Sequence, residues 1–151
     1  MERNIDPSLR SDKIPESESN QFYSRLQQVV SNTPNQTVII IGDFNAKIGE
    51  GAPIGNALGT RNENGEQLID FATANRLIAA NATTCRHVRR KYMWRSFDGL
   101  HRNQIDYVLV QRRWQSAVAK CQTYPGGADA DSDHVLVGMK FRLKLKRLSQ
   151  A

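Results

Sequence analysis
The stretch Val38-Ile39-Ile40-Ile41-Gly42-Asp43-Phe44-Asn45 constrains this chain more than any other. Four β-branched apolar residues in a row read as a strand buried on both faces. The run stops at Gly42, which has no side chain to block an approach, and an acid and an amide follow at once. If the backbone stays extended, Asp43 and Asn45 lie two residues apart and point the same way. A buried strand that delivers polar groups at its C-terminal tip is one way α/β proteins build a site. Asp and Asn also open turns. This stretch alone leaves turn and site open.

The surrounding pattern alternates helices and strands. Residues 1–19 are polar, mixed in charge and marked by Pro7 and Pro15, so the folded domain is expected over 20–148. Phe22, Leu26, Val29 and Val30 fall on one helical stripe, with Ser19 or Asn20 as N-cap. Residues 31–35 end that helix and turn into the strand. The glycine-rich run from Gly49 to Gly59, with Pro53 inside it, reads as a flexible surface loop. A second helix is expected over roughly 66–75, burying Leu68, Ile69, Phe71 and Ala72. Short strands are expected at 77–80 and 92–94.

The run Ile105-Asp106-Tyr107-Val108-Leu109-Val110 is apolar with one carboxylate inside it. An ionised carboxylate buried alone costs several kcal/mol, so Asp106 must meet a cation, a hydrogen-bond donor or solvent. A strand at 118–124 and a loop ending in Ser132-Asp133-His134 follow. The last element, 135–147, alternates, with Val135, Val137, Met139, Phe141, Leu143 and Leu145 on one face. Lys140, Arg142, Lys144 and Lys146 form the other face, which suits a solvated, aggregation-resistant edge better than a nucleic-acid groove.

With 151 residues there is room for one domain with a real core, and 39% hydrophobic and 24% charged residues are ordinary for a soluble protein. A formal charge of +6 suggests an anionic partner, most simply a nucleic-acid backbone, although solvated surface lysines give the same balance. Two cysteines, Cys85 and Cys121, are too few for a disulfide framework and point to a reducing, intracellular compartment, nuclear or cytoplasmic. The charged N-terminus lacks an apolar h-region, so secretion is not expected, and no apolar run reaches transmembrane length. No membrane partner is expected.

Three polar clusters thus sit at or beside apolar strands: Asp43 with Asn45, Asp106, and Asp133 with His134. Together they suit metal-assisted hydrolysis of a phosphate ester. Carboxylates hold a hard cation such as Mg²⁺, which neutralises charge on the phosphate. A carboxylate can deprotonate the attacking water, and an imidazole held by a second carboxylate can hydrogen-bond a phosphoryl oxygen.

Gly42-Asp43-Phe44-Asn45, Asn103-Gln104-Ile105-Asp106-Tyr107 and Ser132-Asp133-His134 resemble three C-terminal signatures of the endonuclease/exonuclease/phosphatase superfamily. The wider wording is most similar to the endonuclease domains of LINE-type non-LTR retrotransposons and to the craniofacial development protein 2-like host proteins. The resemblance runs from about Phe22 to Leu143. It implies an α/β fold, a partial two-sheet α/β sandwich, and a Mg²⁺-dependent DNA endonuclease in which Mn²⁺ can replace Mg²⁺. Asp43 would activate the water and Asn45 would contact the scissile phosphate. His134 would bind or protonate that phosphate, Asp106 would orient His134, and Asp133 would help hold the metal. Ser96 and Asn103 match a stretch near the DNA and are substrate candidates, although a plain turn between strands explains them more simply. Of Arg89, Arg90, Lys91, Arg102, Arg112 and Arg113, some are expected to flank the site.

Two departures stand out. Phe97 replaces a proline usual before Asp98-Gly99. Nothing before Phe22 supplies the family's opening strands with their asparagine and metal-binding glutamate, since Glu2, Glu16 and Glu18 lie in polar sequence. The resemblance therefore implies the C-terminal half of the domain, weakly active or inactive as this chain. Its open sheet face would be met by a missing N-terminal half or by self-association. The alternatives are a phosphatase or phosphodiesterase of the same superfamily, or a catalytically dead nucleic-acid-binding fragment.

Overall fold
The computed structural model describes residues 15–85, 91, 94–95, 102–124 and 134–144. It divides into two compact units, one ending at Pro34 and one beginning at Asn35. The first unit carries helix α1, Glu16–Ser31, capped by Pro15 rather than by Ser19 or Asn20. The earlier start follows from Glu16 and Glu18, whose charges favour the positive end of the helix dipole, and from the Pro15 carbonyl, which accepts from the N–H groups of Glu18 and Ser19. The expected apolar stripe is only half buried: Leu26 and Val30 are partly covered, whereas Phe22 is 49% and Val29 61% exposed. No helix among the described residues is long and apolar enough to cross a membrane.

The second unit is built on a three-stranded antiparallel sheet of β1 (Ile39–Asp43), β2 (Leu77–Ala79) and β5 (Asp106–Gln111), in the order β1-β5-β2. The central strand is β5, and it, not β1, is buried on both faces: Tyr107, Val108, Leu109 and Val110 are all enclosed. The isoleucine run of β1 occupies the edge, where alternate residues emerge, and Ile41 is 70% exposed. A run of β-branched residues fixes a strand but not its place in the sheet, which depends on partners distant in sequence.

Helix α2, Glu63–Ala74, packs against β2 with Leu68, Ile69, Phe71 and Ala72 buried. It begins a turn earlier than the apolar pattern suggests because Asn62 caps it, accepting from the Gly65 N–H at 2.8 Å. After β2 the chain makes one helical turn, α3 (Ala80–Thr83). A short ribbon pairs β3 (Trp94–Arg95) with β4 (Arg102–Asn103). Part of the strand expected at 92–94 lies outside the described residues.

A 3-10 helix, Arg112–Ala117, leads into the hairpin of β6 (Val118–Tyr124) and β7 (Leu136–Phe141). Val118 and Cys121 of β6 join Ala80, Val108 and Val110 in one apolar cluster, with Val137, Met139 and Phe141 of β7 packed on it. β6 and β7 thus form a second sheet, packed through this cluster on the first in an α/β sandwich. β7 stops at Phe141, six residues short of the expected 147, and residues from 145 lie outside the described set.

The glycine-rich run after β1 is not a flexible surface loop. Ile48, Ile54 and Ala57 are buried, and Gly49, Gly51, Gly55 and Gly59 take positive φ angles that turn the chain back on itself. The Ile54 carbonyl accepts from Ala79 N at 2.8 Å, and the Asn56 carbonyl accepts from the buried Lys91 ammonium at 2.8 Å. The run plugs the core beside β2. Both cysteines are buried, and burial, with Cys85 nearby, pushes the Cys121 thiol up to about 12.

Candidate active site
The β1–β5 register sets Asp43 opposite Asp106, so both carboxylates leave the same face at one end of the sheet. His134 arrives just before β7 and stands between them. Its Nδ1 is 2.9 Å from Asp106 Oδ2, and its Nε2 is 3.7 Å from Asp43 Oδ2. An ionised carboxylate only accepts, so with Asp106 charged Nδ1 carries the ring proton and donates it to Asp106. Asp106 is the better covered of the two acids. Burial, reinforced by the charge of Asp43 and opposed by His134, raises its carboxyl above the usual range.

Asp43 both opens a turn and faces the site. Its Oδ1 accepts the Asn45 N–H at 2.8 Å, which holds the carboxylate while Oδ2 faces the imidazole. The backbone does not stay extended as far as Asn45, which has φ +46° just beyond the strand. Asn45 therefore does not continue the strand's alternation beside Asp43. Phe44 N still donates to Ile105 O at 3.1 Å, carrying the ladder one step past the two acids.

The left-handed turn is fastened from α2. Asn64 Nδ2 donates to the Asn45 carbonyl at 3.1 Å, and Asn62 Oδ1 accepts from Lys47 N at 2.9 Å as well as capping the helix. Gly65 completes the fit, because a Cβ there would lie on the Lys47 carbonyl. Neither asparagine stands out as a site residue in the sequence. The one available signal is Asn62-Glu63-Asn64-Gly65 ahead of an apolar helical stripe.

Of the six catalytic and metal candidates and substrate contacts beyond Asn45, the structure brings together Asp43, Asp106 and His134. Asn103 lies on β4 opposite Trp94. Asp133 and Ser96 lie outside the described residues. Arg112 and Arg113 follow β5 at the end away from Asp106, roughly 20 Å along the strand. Their guanidinium groups bond the carbonyls of Pro53 and Gln36, so they do not flank the site.

One ligand atom from each of Asp43, Asp106 and His134 lies within 4.8 Å of the others, a grouping that could hold a metal ion. The set fits a hard divalent cation: two carboxylates and an imidazole, with Asp106 Oδ1 enclosed and without a hydrogen-bond partner among the described residues. Such a cluster can position a water, balance negative charge and hold a proton on the imidazole.

The model of the family described as endonuclease-reverse transcriptase matches residues 9–137. Craniofacial development protein 2 from Tragulus javanicus is 47% identical over 136 residues, covering 87% of this chain and 24% of that protein. The Bos taurus protein is 46% identical over 136 residues, covering 87% and 23%. The chain thus spans about a quarter of the length of these relatives. Among solved structures, the fold is similar to the endonuclease domain of TRAS1, a telomere-specific non-LTR retrotransposon (TM-score 0.61, 15% identity, 82% of this chain and 50% of that one). It is also similar to the 3' phosphatase NExo from Neisseria, bound to a product DNA hairpin (TM-score 0.64, 15% identity, 84% and 54%).

Proposed function
The chain belongs to the endonuclease-reverse transcriptase family of the endonuclease/exonuclease/phosphatase superfamily, and on that premise we propose that Asp43, Asp106 and His134 form a DNA phosphodiester-hydrolysing site of the retrotransposon endonuclease type. The observation that carries this reading is the imidazole standing between two carboxylates, 2.9 Å from Asp106 and 3.7 Å from Asp43.

Asp43 orients and deprotonates the attacking water. Asp106 accepts the His134 Nδ1 proton and so fixes the ring, leaving Nε2 toward the phosphate to bind or protonate an oxygen as charge builds. Asn45 contacts the scissile phosphate through its amide. Asp43 and Asp106, with Asp133, would hold Mg²⁺ or Mn²⁺, which when bound neutralises charge on the phosphate. The described donor set is thin for Mg²⁺, so turnover is slow. That same thinness favours a second reading, nucleic-acid binding without cleavage.

The test is nicking of supercoiled plasmid by the 151-residue chain at high enzyme, with Mg²⁺ or EDTA, beside His134→Ala. Slow, Mg²⁺-dependent open-circle formation lost in His134→Ala supports the endonuclease reading. Binding without any nicking favours the second reading. Release of phosphate from a 3'-phosphorylated oligonucleotide with the plasmid untouched would instead make the site a phosphatase.

A further inference from the structure
Asp106 must be held at its backbone as well as at its carboxylate. The even-numbered residues of this segment turn their backbone groups toward β2, as Arg112 N does in donating to Arg76 O at 2.8 Å. Strand β2 runs beside β5 only as far as Ala79, opposite Leu109, and then the chain enters α3. At Val108 and Asp106 the neighbouring strand has ended.

Asn81, on α3, occupies that place. Its Nδ2 donates to the Asp106 carbonyl at 2.9 Å, and its Oδ1 accepts from Val108 N at 3.1 Å. A side-chain amide carries the same donor and acceptor pair as a peptide unit, so Asn81 prolongs the ladder by one step after the strand has stopped. It is 0% exposed, and no solvent stands in reserve for either group. On the other side of β5, Asp106 is the register partner of Asp43. Val108, the far end of the clamp, is anchored in the cluster with Val118 and Cys121.

We propose that Asn81 is a positioning residue of this site: its amide fixes the Asp106 backbone and thereby the reach of Asp106 Oδ2 to His134 Nδ1. What that pair does in the reaction rests on the function proposed above. The clamp itself rests on two hydrogen bonds from one buried amide. A misplacement of 1 Å in such a constellation lowers rates by about 100-fold. Loss of the clamp leaves the buried Val108 N–H and the partly buried Asp106 carbonyl unpaired.

The test is NMR on the 151-residue chain, metal-free and at one fixed pH. In the unsubstituted chain the Asn81 side-chain NH₂ and the Val108 amide exchange roughly 100-fold or more slower than an open amide. Exchange of the Asn81 NH₂ at the open rate overturns the proposal without any variant. Asn81→Ala and Asn81→Ser are then compared with Asp106→Ala for the ring nitrogens of His134. The proposal expects the Nδ1-protonated signature to give way to mixed tautomers in both Asn81 variants, as in Asp106→Ala, while the amides of α2 and Leu109 stay protected. A folded Asn81 variant with an unchanged His134 signature overturns it. If Asn81→Ala does not fold, Asn81→Ser and the exchange measurement decide. None of these readouts needs turnover, so a chain that never nicks DNA counts against the proposed function while the exchange rates and the His134 signature still decide the clamp.

Discussion

Asp43 is the register partner of Asp106, so two carboxylates share one end of one strand pair with a single imidazole between them. Here the pairing of β1 with the buried central strand forces the second acid to be enclosed, and the cost falls on Asp106, whose carboxyl is raised chiefly by burial.

That shift fixes the sign of a stability effect. Folding favours protonated Asp106, so its contribution is fully present below the ordinary aspartate range and lost as pH rises through the raised folded value. Ionising Asp106 in the folded chain therefore opposes folding. Asp106→Asn cannot ionise and still accepts from His134 Nδ1, so its thermal midpoint at pH 7 should equal or exceed that of the unsubstituted chain. The gap should close as pH falls through the carboxylate range. A clear loss of stability at pH 7 in thermal melts would contradict the burial argument.

Gly65→Ala inverts a usual rule. Alanine within a helix is ordinarily better than glycine by about 1 kcal/mol. At Gly65 the added Cβ meets the Lys47 carbonyl, which belongs to the turn below the site. Denaturant titration should show a loss of roughly 2 kcal/mol or more. A stabilised variant would mean that the helix start does not pack on that turn.

Asn64→Ala removes the donor to the Asn45 carbonyl. The stability cost should be about 1 kcal/mol, the worth of one hydrogen bond. The local effect should be larger, with the Asn45 and Asp43 amide signals shifting while those of β6 and β7 stay in place. Unmoved Asn45 and Asp43 signals would remove α2 from the support of the site.

DNA binding by a chain of charge +6 should be weak, indifferent to sequence and steep in salt, the logarithm of affinity falling by about 0.9 per phosphate contacted per logarithm of salt. Arg112 and Arg113 sit at the far end of β5, bonded to backbone carbonyls, so replacing both with alanine should leave that slope unchanged. A slope reduced by about 2 would place the DNA track along the opposite end of the sheet.

How much of this is legible in the sequence depends on whether the information is local. The chemistry lies in short runs, Gly42-Asp43-Phe44-Asn45 and Asn103-Gln104-Ile105-Asp106-Tyr107, and Val118 to Tyr124 reads as the strand it is. Which strand is central is not local: Ile39 to Ile41 look more buried than Tyr107 to Val110, yet the latter have neighbours on both edges. The run from Gly49 to Gly59 reads wrongly as a loop because glycine signals freedom, while Ile48, Ile54 and Ala57, which pin it, are sparse. Asn62, Asn64 and Asn81 are invisible as support because an amide's role is set by the backbone it meets. Those backbones lie 15 to 27 positions away in Lys47, Asn45, Asp106 and Val108.

Under the proposed function Asp43 and Asp106 hold a divalent cation with His134 beside it. Substoichiometric Mn²⁺ added to the isotope-labelled chain tests it directly, through paramagnetic broadening read residue by residue. Signals of Asp43, Asp106 and His134 should vanish first, and Asp43→Asn should abolish that pattern without unfolding the protein. Broadening centred elsewhere, or unchanged in Asp43→Asn, would contradict the account.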